Sequence, residues 1–283
     1  MAVWLLPRIT INVDDFGRDP GVNSAVLDLW KVGAVSSASF ISVSRHSLEA
    51  ADIARSNKIP CGAHVCLIAE KACRNLMSPI KKTALRRHGR HSYTQAEGVR
   101  HVSKKTILLE TYAQIERCFK MTGSLTHIDF HMFGIPLKDG TFGDLLECVV
   151  RHYSVPVIMP WFQNAGYPPS SIKWNKRIGG STYDGKRNSL ETIVRCSVNG
   201  WYVATHVSTD AINEPSREIE YRVLKQLAEK TKEKCELVPV SRLPVRVNNR
   251  LTRWRPSLRF PGKQLSKERQ EILMEDSCNH TRI

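Results

Sequence analysis

Apolar and polar positions along this chain switch repeatedly between a period of two and a period near 3.6, and the switches predict a β-α-β order. Ile9 to Val13 reads as a first strand, and after a polar loop from Asp14 to Pro20 the apolar residues Val22, Val26, Leu29 and Trp30 recur at helical spacing. Ala34 to Val43 reads as a second strand, Ser47 as the N-cap of a helix ending near Asn57, and Cys61 to Leu67 as a third strand. A helix over Lys105 to Met121 carries Leu108, Tyr112, Ile115 and Phe119 on one face, with Gly123 placed to end it. The fourth strand runs through His127 to His131.

Beyond it the pattern predicts a helix over Gly143 to Tyr153, a strand at Val155 to Met159 and a long loop from Trp161 to Asn188. Strands at Glu191 to Ser197 and Trp201 to His206, a polar-faced helix over Arg217 to Lys232 and a last strand at Cys235 to Val240 complete the series. Such alternation implies an α/β fold with mainly parallel strands, in which sites form at the carboxyl ends of the strands. Asp14, Asp15, His64, His131 and His206 all fall at or near those ends. Coming from several different strands, they point to a distorted (β/α) barrel, where strand ends converge, rather than an open sheet.

Composition places boundaries on this barrel. The 283 residues suit one barrel domain over 1–243, with a basic inserted loop at about 70–104 and a basic, partly disordered tail over 244–283. The net charge of +15 is concentrated. Eight basic residues between Lys81 and Lys105 face only Glu97, and ten from Arg242 onward face four acids, which leaves the rest close to neutral. Segments 81–105 and 242–260, where Tyr93, Trp254 and Phe260 interleave with basic residues, could contact an acidic polymer; a solvated basic surface is the plainer alternative. Eight cysteines without a Cys-Xaa-Xaa-Cys pair predict a reducing, cytoplasmic setting. The apolar Met1 to Leu6 run is too short for a signal peptide or a membrane span, so no membrane association is expected. A homodimer is one assembly open to the chain, and the sequence does not fix it.

The strand-end residues carry the chemistry. One carboxylate and two imidazoles with open positions suit zinc, iron, manganese or magnesium, and Asp15, His64 and His131 form the candidate ligand set. Asp14 is then the candidate base for an attacking water, and His206 the candidate acid for a leaving group. Adjacent residues of a regular strand point to opposite faces, so Asp14 and Asp15 share a pocket only if the pleat breaks, and Gly17 with Pro20-Gly21 would supply that break. Capping of the next helix by these aspartates is the competing explanation, as is an ordinary hydrogen-bonded role for His64. His127 lies deeper in its strand than His131 and is expected to support the site rather than bind metal, together with Asp129. The chain has no P-loop, no His-Glu-Xaa-Xaa-His and no glycine-rich dinucleotide turn, which removes the common nucleotide-binding classes.

Taken together, Ile11-Asn12-Val13-Asp14-Asp15-Phe16-Gly17, Gly21-Val22-Asn23, Gly62-Ala63-His64-Val65 and His127-Ile128-Asp129-Phe130-His131 resemble the YdjC-like, or chitooligosaccharide deacetylase, family of carbohydrate deacetylases. The likeness runs from about Ile9 to Leu243. It implies a distorted (β/α) barrel binding Mg2+ or a similar divalent ion through Asp15, His64 and His131, with Asp14 as base and His206 as acid. The implied reaction removes acetyl groups from N-acetylated oligosaccharides. Three positions depart from the family pattern: His131-Met132-Phe133-Gly134 replaces a histidine-rich run, Val207 replaces a proline after His206, and Pro160-Trp161 stands where an arginine is common. These departures predict altered acceptor specificity, and a non-catalytic descendant that binds sugar or nucleic acid is the alternative function.

Overall fold

The computed structural model describes residues 6–67, 86–87, 90–91, 104–131, 149, 152–153, 155–159, 171–173, 176–210, 214–247 and 250–253. Its central strands are β1 (Arg8–Phe16), β2 (Ser37–Phe40), β3 (Cys61–Val65), β6 (Ile128–Phe130), β7 (Val157–Met159) and β10 (Trp201–Thr205). With β8 (Ser171–Lys173), β9 (Lys176–Arg177) and β11 (Glu236–Leu237) they form one curled sheet, in the order β8-β7-β6-β3-β2-β1-β10-β9. Every ladder in it is parallel, and β11 pairs with the start of β1. Helices α1 (Pro20–Lys31), α2 (Ser47–Asn57), α3 (Lys104–Thr122), α4 (Tyr183–Arg195), α5 (Pro215–Gln226) and α6 (Ala228–Lys234) alternate with these strands, so the fold is a distorted (β/α) barrel. Among the described residues no helix is long and apolar enough to cross a membrane.

Alternation along each strand sorts the side chains into two layers. Ile9, Ile11 and Val13 of β1, Ala38 and Phe40 of β2, Cys61, Ala63 and Val65 of β3, and Ile128 and Phe130 of β6 all join one buried apolar cluster with the helices. The opposite parity turns Thr10, Asn12, Ser37, Ser39, Gly62, His64 and Asp129 to the other face, where they are buried as well. Ile158, Tyr202, Ala204, Val238, Val240 and Leu243 form a second, separate buried apolar cluster. Hydrophobic burial against the helices therefore fixes the register, and the register delivers the polar residues to a common interior.

Several elements differ from the periodicity. The second strand stops at Phe40, because Ser42, Ser44 and Ser47 spend their hydroxyls on main-chain carbonyls of Gln114, Arg18 and Ser44 and turn the chain. Ser47 is thus the first residue of α2 and not its N-cap; His46 occupies that position without a side-chain bond. The run Glu191 to Ser197 is mostly helix, since α4 extends to Arg195 and buries Leu190, Ile193 and Val194 along one stripe, with Thr182 Oγ1 accepting the Gly185 N–H at its start. The expected loop of 161–188 contains β8, β9 and the first six residues of α4. The helix expected over Arg217 to Lys232 is two, α5 and α6, divided at Leu227, and the last strand is reduced to Glu236–Leu237 followed by a 3-10 turn at Val240–Arg242.

Most of the inserted basic loop, of the 143–153 helix and of the tail lies outside the described residues. The described parts of the two basic segments include short antiparallel ladders, β4 (Arg86–Arg87) with β5 (Arg90–His91) and β12 (Pro244–Val247) with β13 (Arg250–Arg253). The described cysteines Cys61, Cys66, Cys118, Cys196 and Cys235 are free thiols.

Candidate active site

By parity alone Asp15 belongs with Ile11 and Val13 against the helices. The backbone breaks there: Asp15 has φ +67°, and the β1–β2 register slips between Val13, opposite Ala38, and Phe16, opposite Phe40. This is a β-bulge with the aspartate in the left-handed region, which costs an ordinary residue roughly 1–2 kcal/mol and an aspartate somewhat less. Gly17, at φ +96°, completes the turn, where a Cβ would stand 3.0 Å from the Ile41 carbonyl. Asp14 and Asp15 thereby both become interior residues. Neither caps the next helix; Asp19 does, accepting the Val22 N–H at 2.9 Å.

Asp15 Oδ1 lies 2.8 Å from His131 Nδ1 and 3.2 Å from His64 Nε2, and the two nitrogens are 3.3 Å apart. Ligand atoms about 2.1 Å from one ion, at angles between right and tetrahedral, stand about 3.0–3.4 Å from one another. Two of the three separations fall in that range and the Asp15–His131 one is just short of it, so the donor set fits a divalent cation after a small adjustment. Asp14, His64 and Asp129 also cluster, but His64 Nδ1 and Asp129 Oδ1 are hydrogen-bonded directly at 2.7 Å, which engages that nitrogen's proton. Asp129 is acceptor-only when ionised, so it fixes the proton on Nδ1 and leaves Nε2 to face Asp15 and His131.

Each carboxylate has its own electrostatic setting. Burial acts to raise Asp15, yet the charges of His131 and Arg217 and the hydrogen bonds of His131 and His64 together outweigh it and hold the carboxyl well below the usual range. Asp14 goes the other way: burial, and then repulsion from Asp129, push it up to about 7. For Asp129 the upward push of burial is exceeded by attraction to His64 and by its hydrogen bonds, and the net shift is downward. His206 Nε2 stands 3.7 Å from Asp14 Oδ2, with its side chain about a quarter exposed (23%). Val207 beside it is fully buried in the main apolar cluster, a place that an apolar side chain fills without a proline.

His127 sits one layer deeper, as its place in the strand predicts. Its Nε2 is 2.9 Å from Ser39 Oγ and its Nδ1 2.9 Å from Thr126 Oγ1. Ser39 gives its one proton to Asp129 Oδ2, so His127 must donate from Nε2, and burial pushes its pKa down to about 4, keeping it neutral. Gly62 makes room for this ring: a Cβ there would lie 2.3–2.5 Å from three ring atoms. Gly62→Ala should therefore destabilise the fold by about 2–3 kcal/mol, read as a lower unfolding midpoint in denaturant, with His127→Ala partly restoring it.

Sequence reasoning missed several partners. Arg217, near the start of α5, holds the other oxygen of Asp15 at 2.6 Å and also pairs with Glu214, which in turn pairs with Arg18. Asn12 donates to Asp14 Oδ1 at 2.8 Å and to Ser39 Oγ at 2.7 Å, and Ser37 donates to Asn12 Oδ1. Asn12 and both serines were visible as polar residues of inward parity within apolar strands; nothing in the local sequence marks Arg217. Met132 to Gly134 and Pro160-Trp161, where the family pattern changes, lie outside the described residues.

A sequence profile described as YdjC-like protein matches residues 8–236, from the first residue of β1 into β11. The chain belongs to the YdjC-like family. A curated relative of Danio rerio, named carbohydrate deacetylase, is 22% identical over 205 residues, covering 68% of this YdjC-like chain and 61% of the relative, so the match spans less than two thirds of that protein. Among solved structures, an Enterococcus faecalis protein described in terms of cellobiose-phosphate cleavage has a TM-score of 0.65 at 21% identity, covering 83% of this chain and 98% of that one. A peptidoglycan N-acetylglucosamine deacetylase has a TM-score of 0.50 at 11% identity, with 82% and 84% covered. Both structural likenesses concern the fold.

Proposed function

We propose that this YdjC-like chain is a metal-dependent hydrolase that removes acetyl groups from N-acetylated carbohydrates of the chitooligosaccharide type. Asp15, His64 and His131 are its metal ligands, with Mg2+ the first candidate and Zn2+ or Mn2+ the alternatives. One observation carries the reading: a carboxylate and two imidazoles turned to one point, beside a second carboxylate and imidazole 3.7 Å apart. Family membership and the relative named carbohydrate deacetylase support the substrate class.

A bound divalent cation supplies Lewis acidity, sharpening a water and drawing charge from an acyl oxygen. The side chains then manage the protons. Asp14, as carboxylate, takes a proton from the water as its oxygen bonds to the acyl carbon. His206, as imidazolium, gives a proton to the nitrogen as the C–N bond breaks, yielding acetate and a free amino sugar. Asp129 and Ser39 hold His64 in the required tautomer, and Asn12 orients Asp14. Acetate release from N-acetylated chitooligosaccharides with added divalent metal tests the assignment; metal-loaded, folded protein that releases none would reject it.

Metal binding should also displace a proton. Burial acts to lower His64, but the charge of Asp129 and the hydrogen bonds to Asp129 and Asp15 more than compensate, leaving it well above the ordinary histidine value. The metal-free site thus holds a proton on His64 at pH 7 that a cation must replace. Calorimetric titration in buffers of different ionisation enthalpy should report net proton release on binding, and affinity should fall as the pH is lowered. No buffer dependence at pH 7 would contradict this.

A further inference from the structure

Lys186 and Glu220 form an ion pair in the interior, Nζ to Oε2 2.6 Å, with each residue only 3% exposed. Lys186 comes from the first turn of α4 and Glu220 from the second turn of α5. The other carboxylate oxygen, Oε1, accepts the main-chain N–H of His206 at 2.9 Å. Burying two opposite charges rarely returns its desolvation cost, and apolar side chains of similar volume would join α4 to α5 at least as well. Helix packing therefore gives no reason for the pair. What apolar side chains cannot do is accept the N–H of residue 206, which lies just past the end of β10.

A carboxylate is a strong acceptor only while ionised, and one buried without a counter-charge takes up a proton instead. Lys186 supplies that counter-charge. The preceding residue is fastened from another side, Thr205 Oγ1 donating to the Asn12 carbonyl of β1 at 2.9 Å. Asn12 is the residue that orients Asp14, so both members of the Asp14–His206 pair are tied to the same stretch of β1. We infer that Lys186 and Glu220 are positioning residues for His206, holding its main chain so that the imidazole faces Asp14. The inference rests on the proposed role of His206 as acid.

Two double variants of the full chain separate this role from packing, since each removes both charges of the Lys186–Glu220 pair. Lys186→Met with Glu220→Gln keeps an acceptor oxygen for the His206 N–H, whereas Lys186→Met with Glu220→Leu removes it. The Leu pair should lower kcat about 10–100-fold, the loss that a misplacement near 1 Å brings. KM for N-acetylated chitobiose and the calorimetric metal affinity should stay within about 2-fold, and the Gln pair should keep kcat within about 3-fold. A second readout needs no turnover: the imidazole NMR signal of His206 should shift on Asp14→Asn in the wild type and in the Gln pair, and fail to respond in the Leu pair. A folded Leu pair with wild-type kcat and an undiminished NMR response would overturn the inference, as would equal losses in both pairs. Wild-type protein that releases no acetate would reject the deacetylase assignment instead, and the NMR comparison would still decide the positioning role.

Discussion

Asp15→Asn is expected to abolish metal binding and turnover while leaving the fold intact. Asparagine is nearly isosteric and, like aspartate, tolerates the left-handed conformation found at φ +67°, so the bulge survives the change. What disappears is the negative charge that two imidazole nitrogens approach at 2.8 and 3.2 Å and that Arg217 neutralises from the other side. Loss of partners outside the ligand set typically costs about 10–100-fold in metal affinity, so loss of a ligand charge should cost at least about 100-fold. Turnover should fall by at least about 1000-fold, since the cation's Lewis acidity goes with it. Calorimetry and acetate release measure the two effects. Metal affinity within a few-fold of wild type would remove Asp15 from the ligand set.

Asp14→Asn should produce an equally severe loss of a different kind. The metal ligands remain, so metal affinity should be largely kept, while kcat drops by about 100–10,000-fold, the usual contribution of a placed base. The pH profile carries the sign. A base must be ionised to work, and with its pKa pushed up to about 7 Asp14 is protonated below that value in the metal-free site. A bound cation pulls it back down, so the wild-type rate should rise with pH through an acid limb centred at or below about 7. In Asp14→Asn that limb should be absent from the residual rate. His206→Gln should remove the opposite limb, because an acid fails when it has lost its proton. An unchanged acid limb in Asp14→Asn would show that another group is the base.

How far the sequence spoke for this structure depended on which force shaped each part. Wherever one face of a strand packs against helices, alternation was decisive: Ile9, Ile11 and Val13 point outward, so Asn12 and Asp14 point inward, and His127, Asp129 and His131 share one face for the same reason. The need for a broken pleat at Asp14-Asp15 was readable from that rule. The break begins on Asp15, and Gly17 two residues later completes it. Elements governed by tertiary contact were less legible. The β-branched run Thr192-Ile193-Val194 carries a strand propensity that α4 overrides by burying Leu190, Ile193 and Val194 together. Arg217, Lys186 and Glu220 lie in helices with many charges, and only folding reveals which of those charges turn inward.

The central claim is that one divalent ion at Asp15, His64 and His131 turns this barrel into a carbohydrate deacetylase. Its most direct test is to strip the protein with chelator, titrate a divalent metal back, and follow bound metal and acetate release from an N-acetylated chitooligosaccharide in the same samples. The expected result is that release rises from zero in proportion to occupancy and saturates at one ion per chain. Undiminished release from the stripped protein, or full occupancy without release, would contradict it.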